Sequence, residues 1–373
     1  MSATAVAGTL AVDSRTIPGL DPATPIVLHT LRLTGEIEAG DAERLRDALS
    51  RLRARAPPTD DGRLATIELS SIGGNLLVGI AIGYLLHDYG VATVVRKGDS
   101  CLSACALAFL GGTARDAAGI RPSRTIEIGG QVAFHNFTID AAAVEKETRQ
   151  DAEAGIARSF GLARAGAAQL MRYATDMGVA GTFVATLVGR PAGQWQYIDT
   201  DEAFIAAQAC PAGPMPSPGR LEQQAANICN HATGRRTPAR ASDARSIALS
   251  QARRHLLEHI HENLVSFTVS GPLARQLAAV IASKDERLVE KVYADLRVAG
   301  VPLPRPSGLN FEVLGPGSDS RSHCFVSLSP GDLDVFDLAL VTRHGLTRAP
   351  QQPPASCPML FRYEPGDMLN PPR

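Results

Sequence analysis

SSIGGNLLVGIAIGYLLHDYGVATVVRKGDSCLSACALAFLGG, residues 70–112, decides the fold. The stretch leaves a strand (LATIELSS, 64–71), passes the glycine pair Gly73 and Gly74, and enters an apolar helical run that stops at Gly90. VATVVRKG (91–98) then reads as a strand, and DSCLSACALAFLGG turns sharply into a second apolar helix. Upstream, IVLHTLRLTGEI (26–37) alternates apolar and polar residues as a half-buried strand does. The AGDAERLRDALSRL that follows has helical spacing with Asp41 as N-cap. A strand-turn-helix unit used three times predicts an α/β domain. Beyond Gly112 the pattern predicts short strands ending in GGQVAFHNF (129–137), a long helix over about 141–177, and short helices over 179–188 and 200–209.

The 373 residues suffice for two domains. Between Cys210 and Arg245 the composition shifts to Pro, Gly, Arg and Ser (PAGPMPSPG, TGRRTPARAS), which reads as a linker. The expected organisation is therefore an N-terminal extension (1–25), a first domain (26–210), a linker (211–245) and an accessory domain (246–373). The accessory domain has three helical patterns, a strand-rich part around Leu309–Val341 and a Pro-rich tail. With 37 Lys+Arg against 38 Asp+Glu the net charge is -1, so no positive field is available to hold a phosphate backbone, and nucleic acid is not an expected partner. Apolar runs such as Ala104–Leu110 are too short to cross a bilayer. The first twenty-five residues carry one basic residue, Arg15, and no sustained apolar run, so no signal peptide is expected. Six cysteines in three local pairs (Cys101/Cys105, Cys210/Cys229, Cys324/Cys357) are instead compatible with an oxidising compartment.

Three features carry chemistry. Glycines at a strand-to-helix turn expose backbone amides, so an oxyanion could sit beside Gly73 and Gly74. Ser103 opens the apolar helix, either as its N-cap or as a nucleophile whose neighbour Ala104 offers a free amide. His135 ends a buried strand, either as a core histidine or as a base. Cys105 is a rival nucleophile, but Cys101 and Cys105 read first as packing or as a local disulfide. In the accessory domain HLLEH places His255, Glu258 and His259 at inverted-zincin spacing, without the downstream carboxylate such a site needs. No metal or cofactor is expected. Cys324 and Cys357 are expected to staple the tail to a strand.

Taken in order, LRLTGEIEAGDAERL, ELSSIGGNLLVGIAIGYLLHDYGVATVV, CLSACALAFLGG and VAFHNF resemble the ClpP/crotonase-like superfamily, and within it the bacterial periplasmic ClpP-like proteins with a Cys-x-Ser-Ala-Cys box. The resemblance covers about residues 26–208. It implies a spiral of strand-strand-helix units with a mainly helical α+β accessory domain, and a serine peptidase with Ser103 as nucleophile and His135 as general base. The amides of Gly74, with Gly73 as neighbour, and of Ala104 would form the oxyanion hole. The resemblance also implies a peptide or protein substrate, a homo-oligomer and a periplasmic location, with the cytoplasm as the alternative where no leader is read. The sequence departs from the family where the triad acid belongs. GRPAGQWQYIDTDEAF holds Gly193 and Gln194 there, which leaves Asp176, Asp199 and Gln194 as candidate third members. An inactive scaffold and a crotonase-type acyl-thioester enzyme are the alternatives.

Overall fold

The computed structural model describes residues 8–17, 26–55, 62–116, 119–135, 152–191, 193–233, 238–262, 271–283, 285–301, 303–305, 308–314, 323–342, 345–348 and 357–372. The chain forms two compact units: residues 1–216 with 365–373, and residues 217–364. Both mix helix and sheet.

The first unit holds strands β1 (Thr9–Ile17), β2 (Ile26–Thr34), β3 (Ala65–Ser70), β4 (Val91–Val95), β5 (Ser100–Leu102), β6 (Thr113–Asp116), β7 (Gly119–Pro122), β8 (Arg124–Glu127), β9 (Gln131–His135), β10 (Trp195–Tyr197) and β11 (Cys210–Ala212). Its helices are α1 (Asp41–Arg55), α2 (Leu76–Tyr89), α3 (Ala104–Phe109), α4 (Ala152–Asp176), α5 (Gly181–Gly189) and α6 (Asp201–Ala206). A six-stranded sheet runs β1-β2-β3-β4-β8-β11, parallel except for β1, and a three-stranded sheet runs β10-β9-β5. The step between the sheets is made at Ser71, whose amide donates to Ser100 O (2.7 Å) and whose carbonyl accepts from Leu102 (2.9 Å). On the six-stranded sheet Arg32, Glu68, Arg96 and Glu127 alternate in charge from β2 to β8, with ion-pair distances of 2.9, 2.7 and 2.7 Å.

Helix α2 starts where Asn75 accepts hydrogen bonds from the amides of Leu77 (3.0 Å) and Val78 (3.2 Å), and ends at Gly90 with φ 69°, the left-handed closing position its sequence predicts. It lies against α3 closely enough that a Cβ on Gly79 would fall 2.3 Å from Ala104 O. Tyr173 of α4, fully buried, donates its hydroxyl to Leu107 O at 2.6 Å and so fixes the same helix from the other side. The guanidinium of Arg124, also buried, donates to Met177 O (2.5 Å) and Ala207 O (2.6 Å), neutralising the carbonyl ends of α4 and α6. Burial pulls its pKa down to about 10, so it stays a cation at neutral pH.

The second unit holds helices α7 (Leu221–Thr233), α8 (Leu249–Glu262), α9 (Gly271–Ala282) and α10 (Glu286–Val298). Its antiparallel sheet is β12 (Ala244–Ile247), β13 (Leu309–Val313), β14 (His323–Ser329), β15 (Asp332–Thr342) and β16 (Gly345–Arg348). The two-residue period of β14 divides the packing: Phe325 joins a core with α8, α9 and α10, while Cys324 and Val326 join another with α7.

Several expectations change here. The extension 1–25 contributes β1 as an edge strand rather than standing apart, with Val12 opposite Leu31. The segment 211–245 is not a linker throughout, because α7 and the start of β12 lie in it and Gln224, Ala225, Ile228 and Cys229 are buried. Polar residues mask an amphipathic helix whose buried face combines Gln223, Gln224, Ala225, Ala226, Ile228 and Cys229. Cys324 bonds to Cys229, not to Cys357, tying α7 to β14. Residues 365–372 pack with the first unit, so the accessory unit ends before the chain does. The predicted helix start at 141–151, Asn136 and the APQQPPAS stretch (349–356) lie outside the described residues.

Candidate active site

Ser103 joins β5 to α3 with φ 56° and ψ -118°, in the left-handed half of the map that a side chain normally avoids at a cost of about 1–3 kcal/mol. Local bonds hold it there. Its amide donates to Ala133 O of β9 at 2.9 Å, its carbonyl accepts from Leu107 at 3.2 Å, and the fully buried Cys101–Cys105 disulfide spans the turn. The alternative reading of Ser103 as a capping side chain does not hold, since its hydroxyl makes no cap bond. The thiol of Cys105 is consumed in the disulfide and is no nucleophile.

The glycine turn comes up beside this serine. A Cβ on Gly73 would lie 2.7 Å from Ser103 Cβ, so only glycine allows the approach. The Gly73 amide already donates to Ser71 Oγ at 3.1 Å. Gly74 differs. Ile37 bridges to it in parallel fashion, donating to Gly73 O (2.7 Å) and accepting from Asn75 (2.8 Å), so the Gly74 amide itself points away from Ile37. The Ala104 amide stands at the first turn of α3, where no intrahelical acceptor exists. Neither amide has an acceptor among the described residues.

His135 ends β9, opposite Trp195 of β10, with the two rings edge to face at 4.7 Å between centroids. Ser103, His135 and Gly74 share the wall of one cavity of about 290 Å³. Among the described residues the rest of that wall is apolar: Leu76, Leu107, Phe134, Leu170 and Leu187. Elements as distant in sequence as α2 and α5 are thus brought to one point. Leu170 and Leu187, from α4 and α5, were not legible as site residues, because an apolar helix position looks the same whether it faces a core or a cavity.

The candidate third members lie elsewhere. Asp176 accepts a hydrogen bond from the Tyr84 hydroxyl at 2.7 Å, and that hydroxyl's pKa is pushed up to about 12, by burial first and by this carboxylate second. Asp199 lines a different cavity, with Arg190 and Glu202, and burial raises its pKa. Gln194 is exposed in the turn leading to β10, its amide donating to Pro191 O at 3.2 Å. In the second unit His255 of the HLLEH motif sits 3.8 Å from Glu312, itself ion-paired to Arg245, and edge-on to Phe325. Among the described residues no three His, Cys, Asp or Glu side chains are grouped to hold a metal, and no helix is long and apolar enough to cross a membrane.

No family profile matches this sequence, and no curated protein does. Among solved structures, a mutant form of the 1510-N membrane-bound stomatin-specific protease is similar over 48% of this chain and 77% of that one, at 12% identity and a TM-score of 0.32.

Proposed function

We propose that this protein is a serine hydrolase of the ClpP/crotonase-like type that cleaves peptide bonds. One observation carries the reading: a strained serine, a strand-end histidine and Gly74, whose amide is uncommitted, line a single cavity, and the uncommitted amide of Ala104 directly follows the serine. Ser103 Oγ attacks the carbonyl carbon while a ring nitrogen of His135 takes its proton. The carbonyl oxygen, now an oxyanion, is held by the amides of Gly74 and Ala104, each worth about 2.7–4 kcal/mol in the transition state. His135 returns the proton to the departing amine, and water releases the acyl group by the same steps reversed. The leucine-rich wall accommodates an apolar side chain of the substrate.

Asp176 and Asp199 lie away from this cavity, and the ring of Trp195 packs edge-on against His135. Two disulfides support an oxidising compartment, and we place the protein in the periplasm as a homo-oligomer by family resemblance. A fluorophosphonate probe tests the reading. Wild-type protein is expected to label at one site, and Ser103→Ala to abolish labelling while the unfolding midpoint stays near that of wild type. A folded wild type that never labels supports the scaffold instead.

A further inference from the structure

After the second unit the chain rejoins the first and runs along residues 199–201, the link from β10 to α6. The amides of Leu369 and Asn370 donate to Asp199 O at 2.8 and 2.9 Å, Met368 bridges to Thr200, and the amide of Asp201 donates to Asp367 O at 3.0 Å. The Gly366 amide donates to the Asp201 carboxylate at 2.6 Å. From this anchorage Asn370, 4% exposed, reaches the turn before β9: its Oδ1 accepts from the Gly129 amide at 2.8 Å and its Nδ2 donates to Gly130 O at 2.6 Å. The turn packs closely against the end of β4, since a Cβ on Gly130 would lie 2.7 Å from Arg96 O. One side-chain amide thus ties the entry of β9 to the exit of β10.

β9 is the middle strand of its sheet. Ser100 and Leu102 pair with Gln131 and Ala133 on one edge, Trp195 pairs with His135 on the other, and the Ser103 amide is held by Ala133 O. The spacing between Ser103 and His135 is therefore a matter of the register of β9, and a one-residue slip would turn His135 to the opposite face. Strands of three and five residues have few ladder bonds with which to resist such a slip.

We propose that Asn370 is a positioning residue for the Ser103–His135 centre, clamping β9 in register from the end opposite the histidine. This rests on the hydrolase reading above, and the experiment separates the two. In full-length protein, fluorophosphonate labelling rates and amide hydrogen exchange are compared for wild type, Asn370→Ala and Met368→Ala, whose side chain is exposed on the same segment. The expected result is a labelling rate lowered roughly tenfold to a hundredfold in Asn370→Ala, with faster exchange confined to Gln131–His135 and its partner strands, and wild-type behaviour in Met368→Ala. Unchanged exchange in β9 overturns the clamp, even if labelling falls, and so does an equal loss in Met368→Ala. A wild type that does not label defeats the hydrolase reading alone; exchange then decides the clamp by the same criterion. Should Asn370→Ala fail to fold, Asn370→Ser, which keeps a donor and an acceptor on a shorter arm, is read in its place.

Discussion

The turn at Ser103 and helix α8 both carry residues that look catalytic in sequence, and the structure treats them in opposite ways. In α8 the candidate ligands lie within five consecutive residues, and His255 is taken up by an acidic neighbour and an aromatic ring of the adjoining sheet. At Ser103 the candidate groups come from the end of β9, the turn between β5 and α3 and the loop before α2, and Ser103, His135 and Gly74 line one cavity. Spacing along one helix arises readily from amphipathic packing, so it is weak evidence. Convergence of separate elements on a serine held at φ 56° requires several independent constraints, among them a glycine that no other residue could replace.

The comparison can be broken most sharply at Ser103 itself. Ser103→Gly removes the nucleophile and relieves the backbone, so fluorophosphonate labelling is expected to vanish while stability in denaturant titration rises by about 1 kcal/mol. Loss of stability on this change would show the turn to be unstrained. Next come the two disulfides. Removing Cys229–Cys324 by double alanine substitution opens a closure of 95 residues and is expected to cost about 4–5 kcal/mol while leaving labelling of the remaining folded protein intact. Removing Cys101–Cys105, separated by 4 residues, is expected to cost only about 2 kcal/mol on the same entropic basis, yet to slow labelling because it frees the turn. If the two pairs of variants behave alike, the bridge at Ser103 has no special bearing on the site.

A smaller effect concerns Asp201, 3% exposed, whose pKa burial pushes up to about 6. A carboxyl that holds its proton more tightly when folded weakens the fold once ionised. That penalty is full above pH 6 and fades as pH falls toward 4, the unfolded value. Asp201→Asn keeps the acceptor for Gly366 without the charge. The variant is therefore expected to melt higher than wild type at pH 7, with the gap closing by pH 4; a constant gap would refute the assignment. Smallest of all, His255→Gln is expected to leave labelling unchanged and to cost less than about 1 kcal/mol.

What was legible in the sequence was local. The glycine pair, the helix-opening serine and the strand-end histidine each announce themselves within a few residues, because turn geometry and strand alternation are short-range properties. What escaped notice was long-range. The partner of Cys324 lies 95 residues away, and Asn370 bonds to glycines 240 and 241 positions upstream. The bond from the Gly73 amide to Ser71 Oγ is a turn within a turn, invisible to any count of exposed glycine amides. The α7 segment was hidden by its alanines and glutamines, which bury well but carry little periodic signal.

The return of residues 365–372 to the first unit also sets an order of events during synthesis. At about 5–20 residues per second, a ribosome finishes the elements bearing Ser103 and His135 well before it makes Asn370, which bonds to the turn before β9, with the entire second unit translated in between. The segment bearing Ser103 and His135 would thus wait for tens of seconds before Asn370 is made.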